Sequence, residues 1–211
     1  MRIKVCGMTR TDQLHRLEEL GVTFAGLIFY PRSPRFVGKF SLTAADIKKE
    51  KLNINKVGVF VNATEEEVLR TVDEWRLQMV QLHGDETVKY CERISNHVNT
   101  IKAFRIAPDD NVPWKLNPYR EVTDMFLFDS VGSGYGGTGL QFDWTLLGDA
   151  RIGKPFFLSG GIGPEDTARL KVFSVRQPDL FSVDVNSRFE ISPGVKDMKR
   201  VEEFCSIIRD I

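Results

Sequence analysis

Phe157-Leu158-Ser159-Gly160-Gly161-Ile162-Gly163-Pro164 reads as a short apolar strand, a glycine turn and a helix begun by proline. That is one strand-to-helix unit of a parallel sheet. Working outward, the same unit recurs from end to end. Strands are predicted at Ile3 to Cys6, Phe24 to Phe29, Lys56 to Val61, Met79 to His83, Thr100 to Arg105, Met125 to Asp129, Pro155 to Ser159 and Leu180 to Val185. Amphipathic stretches separate them at Thr11 to Leu20, Leu42 to Lys51, Thr64 to Trp75, Glu86 to Ser95, Phe142 to Leu147, Pro164 to Phe173 and Lys196 to Arg209. Between the fifth and sixth strands, Pro108, Pro113 and Pro118 predict an irregular or shortened helix. Strand-helix alternation implies parallel strands joined by crossovers. Eight such units in 211 residues favour a closed (β/α)8 TIM barrel over an open sheet, and no linker or composition break divides the chain. The expectation is one domain over residues 1–211.

Composition narrows the partners. Hydrophobic residues make up 42%, enough for a sizeable core, and the 29 Lys plus Arg balance the 29 Asp plus Glu. No strong global field draws nucleic acid or an anionic membrane. No apolar run approaches membrane-spanning length, and Met1-Arg2-Ile3-Lys4 leads into a strand rather than a signal-peptide core. Cys6, Cys91 and Cys205 are few, scattered and without metal-ligand spacing. Reduced thiols in a cytoplasmic protein are expected, with no metal, no nucleic acid and no membrane partner.

In α/β proteins, polar residues at strand C-termini carry the chemistry. Cys6 ends the first strand and Asp129 the sixth, offering a thiol and a carboxyl. Strand parity places Lys4 inward one layer below Cys6, Asp129 with Leu127 and Met125, Asp184 with Ser182, and His83 with Gln81. Cysteines are often inert core filler, the reading given to Cys91 and Cys205. Cys6 differs by standing at a strand end beside Gly7. To act as a base near neutrality it needs a nearby cation to lower its pKa, which Lys4 could supply from below. Asp129 reads alternatively as a loop-fixing carboxylate, and His83 as a positioned neutral histidine rather than an acid or base.

The glycine turn at Gly160 and Gly161, before a helix N-terminus, suits an anion. The segment after strand eight, Asn186-Ser187-Arg188, adds short donors and one cation. Loops after strands seven and eight are where this fold often binds phosphate. Gly132-Ser133-Gly134-Tyr135-Gly136-Gly137 formally matches a dinucleotide fingerprint. Its position after strand six, with Thr138-Gly139-Leu140 in place of a long helix, argues instead for a loop over the site. In Tyr30-Pro31-Arg32-Ser33-Pro34-Arg35, two prolines stiffen the loop, so an arginine there can pair bidentately with a substrate carboxylate.

Taken in order, Lys4-Val5-Cys6-Gly7-Met8-Thr9, Ser33-Pro34-Arg35, Val57-Gly58-Val59-Phe60-Val61-Asn62 and Val80-Gln81-Leu82-His83-Gly84-Asp85-Glu86 resemble phosphoribosylanthranilate isomerases. So do Asp129-Ser130, Gly136-Gly137-Thr138-Gly139 with Phe142-Asp143-Trp144, Leu158-Ser159-Gly160-Gly161-Ile162 and Val183-Asp184-Val185. The resemblance covers nearly the whole chain. It implies an Amadori rearrangement in tryptophan biosynthesis without cofactor or metal, on a small phosphorylated substrate, by a monomer or homodimer. It makes Cys6 the general base, Asp129 the general acid and Arg35 the binder of the anthranilate carboxylate. Gly160 and Gly161 with Asn186 and Ser187 would hold the phosphate, and His83 and Asp184 would line the substrate pocket. A departure stands at Asn186-Ser187-Arg188-Phe189-Glu190, where the family usually reads Ser-Ser-Gly-Val-Glu. The alternatives are another phosphosugar isomerase or epimerase barrel, such as a pentose-phosphate epimerase or the related histidine-pathway isomerase, and a non-catalytic phosphate-binding barrel.

Overall fold

A computed structural model describes residues 1–130, 143–147 and 152–209. Eight parallel strands follow one another around a closed barrel. They are β1 (Arg2–Val5), β2 (Phe24–Ile28), β3 (Asn55–Phe60), β4 (Met79–Leu82), β5 (Asn99–Ile106), β6 (Met125–Ser130), β7 (Phe156–Leu158) and β8 (Leu180–Val185). Closure is made by β1, which pairs with β2 on one side and β8 on the other, in the register Lys4↔Asp184 and Val5↔Val185. The eight predicted strands are all present, most with ends shifted by a residue. The glycine-rich loop from Gly132 to Gly137, Thr138 to Leu140 and Phe142 lie outside the described residues.

Crossover helices sit where the apolar spacing puts them. The first, α1 (Thr11–Glu19), buries Leu14 and Leu17; α3 (Glu65–Trp75) is capped by Thr64, whose hydroxyl accepts from Glu67 N, and has three glutamates in its first turn. Shorter helices α2 (Ala44–Lys49) and α4 (Val88–Ser95) lie either side of α3 in the sequence. As the prolines predict, α5 (Val112–Leu116) is one turn long, with Pro113 in its first turn, and gives way to a 3-10 turn containing Pro118. The sixth crossover holds a 3-10 turn at Trp144–Leu147, and the seventh a 3-10 turn at Pro164–Asp166 leading into α6 (Thr167–Arg176).

One predicted boundary shifts with consequences for the site. The last helix, α7, is Met198–Ile208, two residues later than its predicted start at Lys196. The residues before it form an antiparallel hairpin, β9 (Glu190–Ser192) and β10 (Val195–Lys196), turning at Gly194, whose φ of 85° is left-handed. Asp197, not Lys196, caps α7 by accepting from Arg200 N. Gln13 of α1 clamps β10, donating to Lys196 O at 2.7 Å and accepting from Lys196 N at 3.1 Å.

Parity divides the core into two shells. Ile3, Val5 and their counterparts face the helices in the larger cluster. Inside the barrel floor, Phe24, Val57, Met79, Ile101, Ala103, Leu127 and Phe157 pack together, with Phe24 and Phe157 edge-to-face at 5.3 Å. A register shift where β7 meets β8 moves the partner of Phe157 on to Ser182. Phe181, next to that irregularity, packs partly buried against this cluster, and Asp184 lines the cavity above it.

Candidate active site

Above the apolar floor the barrel interior turns polar, and a cavity of about 700 Å³, counting its open mouth, lies over the C-terminal strand ends. Cys6, Gln81, His83, Asp129, Ser159, Gly160, Gly161, Asp184, Asn186 and Ser187 all line it. Of the residues to which the family resemblance gives a role, Arg35 is the exception.

Cys6 stands at the tip of β1, its backbone N–H donating to Val185 O at 2.9 Å. Ile28, Val59 and the side of Tyr30 pack around it. Below lies Lys4, wholly buried, donating to Asp184 Oδ1 at 2.9 Å across the β1–β8 seam. Burial works against the Lys4 charge, yet Asp184 and the Cys6 sulfur outweigh it and push the ammonium pKa up. For Cys6 burial wins. It pushes the thiol up, against the pull of Lys4 and, more weakly, of Lys196. The expectation of a thiol held below its ordinary value is therefore corrected: strand-end placement next to an apolar wall removes more hydration from the thiolate than the lysines restore.

Asp129 ends β6 opposite Cys6. Its Oδ1 accepts from Ser130 N at 2.8 Å, and its Oδ2 lies 3.1 Å from His83 Nε2, at ion-pair distance but out of line for a hydrogen bond. His83 Nδ1 is 2.6 Å from Gln81 Nε2 on the strand below. His83 is thus held between a side-chain amide and the carboxyl. Gln81 Oε1 is buried at the cavity wall and finds no hydrogen-bond partner among the described residues.

In the loop after β7, Gly160 and Gly161 have φ of 91° and 68°, two consecutive left-handed residues that only glycine adopts without strain. Gly163 N is tied to Asp166 Oδ2, which fixes the loop to the 3-10 turn that precedes α6. Arg188, read from the sequence as a cation for the anion, is directed elsewhere. Its Nη1 bonds Glu165 Oε1 at 2.6 Å, and the residue does not line the cavity.

Arg35 is also placed differently from the expectation. It makes a bidentate pair, but with the chain's own Glu190: Nε lies 2.9 Å from both carboxylate oxygens and Nη2 is 2.8 Å from Oε2. The residue is buried behind the wall, against Gly7, where a Cβ would come within 2.8 Å of Arg35 Cδ. The prolines hold the loop, and an internal carboxylate takes the fork because Glu190 is itself desolvated.

Lys196 is the site residue that sequence reasoning missed. It is fully buried, donating to Glu190 Oε1 and Asn186 Oδ1, each at 2.7 Å. Burial lowers its pKa to about 8 despite Glu190. Read as the start of a helix, it gave no sign of pointing at Asn186. The available signal was Pro193-Gly194, a turn that separates Lys196 from the preceding segment. Among the described residues, no group of three or more His, Cys, Asp or Glu is arranged to hold a metal ion, and no helix is long and apolar enough to cross a membrane.

A strand-end thiol and carboxyl lining one barrel mouth, beside a loop of left-handed glycines, suit a sugar-phosphate isomerase type of (β/α)8 barrel. Comparison with known proteins narrows this. The model of the N-(5'-phosphoribosyl)anthranilate (PRA) isomerase family matches residues 3–206. The chain is 40% identical over 205 residues to the N-(5'-phosphoribosyl)anthranilate isomerase of Parabacteroides distasonis, covering 97% of this chain and 91% of that one. It is 36% identical to the Phocaeicola vulgatus enzyme of the same name, covering 99% and 98%. Among solved structures, phosphoribosyl anthranilate isomerase from Thermotoga maritima superimposes with a TM-score of 0.84 at 31% identity, over the whole of both chains. A phosphoribosyl anthranilate isomerase complexed with reduced 1-(o-carboxyphenylamino)-1-deoxyribulose 5-phosphate gives 0.81 at 29%, again over both whole chains. The chain belongs to the phosphoribosylanthranilate isomerase family and is an isomerase of tryptophan biosynthesis.

Proposed function

We propose that Cys6 and Asp129 carry the Amadori rearrangement of N-(5-phosphoribosyl)anthranilate to 1-(2-carboxyphenylamino)-1-deoxyribulose 5-phosphate, within a single domain spanning residues 1–211. The observation that carries the assignment is that this thiol and this carboxyl line one cavity from opposite strand ends. Asp129 protonates the ribose ring oxygen and opens the furanose to a Schiff base. Cys6 takes the proton from C2′, and the enolamine that results tautomerises to the ketone. Each positioned acid or base contributes about 10²–10⁴-fold. The substrate's nitrogen delocalises the charge, so neither step calls for a metal or cofactor.

The phosphate lies against the loop of Gly160 and Gly161 and the segment of Asn186 and Ser187, a reading supported by their shared cavity wall and the left-handed glycines. His83 orients Asp129. Asp184 lies beneath the sugar, and the unpartnered Gln81 Oε1 accepts from a substrate hydroxyl. Arg35 serves the anthranilate carboxylate from behind the wall. With Lys196 and Glu190 it forms a cluster of two cations and one anion, whose surplus positive charge complements a carboxylate.

The test is the loss of anthranilate-type fluorescence when purified protein meets phosphoribosylanthranilate without added metal. Cys6→Ser and Asp129→Asn should each lower kcat by at least about 10²-fold while leaving the folded state intact. Normal turnover by Cys6→Ser would move the base elsewhere, with His83 the next residue to substitute. The same assay with a dephosphorylated substrate should show most binding lost.

A further inference from the structure

The mechanism gives no role to the buried ammonium of Lys4. Lys4 is wholly inaccessible and does not line the cavity, so it cannot touch substrate. A buried ammonium is costly, and replacing a buried ion pair by apolar side chains is often neutral or stabilising. Lys4 lies directly under the cavity floor, two residues before Cys6 on the same face of the strand, and donates to Asp184 Oδ1 at 2.9 Å. An ammonium has three donors, and one carboxylate oxygen occupies one of them.

We infer that Lys4 is a positioning residue of the proton transfer: its ammonium, paired with Asp184 one layer beneath Cys6, stabilises the thiolate, and Asp184 sets how much of that positive charge the sulfur feels. The inference deepens the assignment of Cys6 as the base and rests on it. The surroundings of Cys6 make Lys4 the decisive partner. From β2 and β3 the sulfur faces apolar Ile28 and Val59. From β8 it faces Asp184, which opposes ionisation, and from β10 Lys196, which favours it less strongly than Lys4 does. Asp129 and His83, across the mouth, act on Asp184. The pull of Lys4 on the thiolate exceeds the push of Asp184. The ion pair is therefore not electrically silent at the sulfur.

This arrangement also accounts for a base that works despite desolvation. The apolar wall keeps the thiolate strongly basic, and Lys4 limits how far that wall depletes it.

The test is the rate of Cys6 alkylation by iodoacetamide in the free enzyme, followed from pH 6 to 10 and localised by mass spectrometry. Cys91 and Cys205 are buried away from the cavity and pushed up to about 11, so they do not compete. Below the thiol pKa, the rate scales with the thiolate fraction, so a thiol pKa higher by about one slows the reaction about tenfold. Lys4→Met should slow alkylation at pH 8 by at least about tenfold, and Asp184→Asn should accelerate it by at least about threefold. Disruption alone would move both variants the same way. In kcat/KM, Lys4→Met should displace the rising limb to higher pH. Equal rates in both variants, or changes in one direction, would overturn the inference. If Lys4→Met does not fold, Asp184→Asn decides alone, since faster alkylation supports the role and an equal or slower rate overturns it. An active Cys6→Ser would remove the base assignment while leaving these changes in alkylation rate in place, so the two failures can be told apart.

Discussion

Gly26→Ala tests how tightly the fold constrains the Cys6 thiol. Gly26 lies in the middle of β2, beside Cys6, and its backbone is not in the left-handed region. On backbone grounds alanine should therefore stabilise the protein, by about 0.4–1 kcal/mol, through the unfolded chain. Packing says the opposite. A Cβ at residue 26 would lie 2.7 Å from Cys6 Sγ, 3.0 Å from Cys6 Cα and 3.2 Å from Cys6 Cβ. Normal carbon contacts are about 3.5–4.0 Å, so the tip of β1 must move by roughly 1 Å. Overpacking of this kind costs about 1–3 kcal/mol and outweighs the entropic gain. At about 2–4 °C per kcal/mol for a chain of this size, Tm should fall by up to about 10 °C. A base displaced by about 1 Å should lose on the order of 10² in kcat/KM. The assays are thermal denaturation and the fluorescence rate. In a Cys6→Ala background, where the sulfur is gone, the same substitution should cost less, with a coupling of at least about 0.5 kcal/mol. Wild-type Tm and kcat/KM in Gly26→Ala would refute the contact argument.

Other outcomes follow from the buried charges. Lys102 is shared between Leu82 O, Gly84 O and Glu86, whose carboxylate also accepts from Asn62 N and Gly84 N; Lys102→Met should strand that carboxylate and cost about 3–5 kcal/mol in urea denaturation, with little effect on the cavity. Lys196 titrates at about 8 in the folded protein against an ordinary 10.5, so between these values the unfolded chain binds more protons. Its contribution to stability is thus unfavourable below pH 8 and is relieved as pH rises, by up to about 1.4 kcal/mol per pH unit in that window, and the difference in denaturation between wild type and Lys196→Met from pH 7.5 to 10.5 should show it. Arg35→Lys should raise KM at least about tenfold, because a point charge cannot reproduce the fork on Glu190; unchanged kinetics would remove Arg35 from substrate recognition.

The alternation of apolar runs and amphipathic segments determined the barrel, because a period of two or of 3.6 residues is a local property written in consecutive side chains. The same parity put Lys4, Cys6, Gln81, His83, Asp129 and Asp184 on the barrel interior, and they are found there. The shortened fifth helix was legible too, since a missing N–H is lost whatever surrounds it. What tertiary structure decided was pairing. Arg35 and Glu190 are 155 residues apart, and Lys4 and Asp184 are 180 apart; no periodicity reports such contacts. Nor could composition say that Arg188 would turn to Glu165, or that the hairpin before α7 would carry Lys196 inward to Asn186. Whether the Cys6 pKa rises or falls was decided in the same way, because hydration lost to a wall and charge gained from a neighbour are both sums over atoms that only the closed barrel brings together.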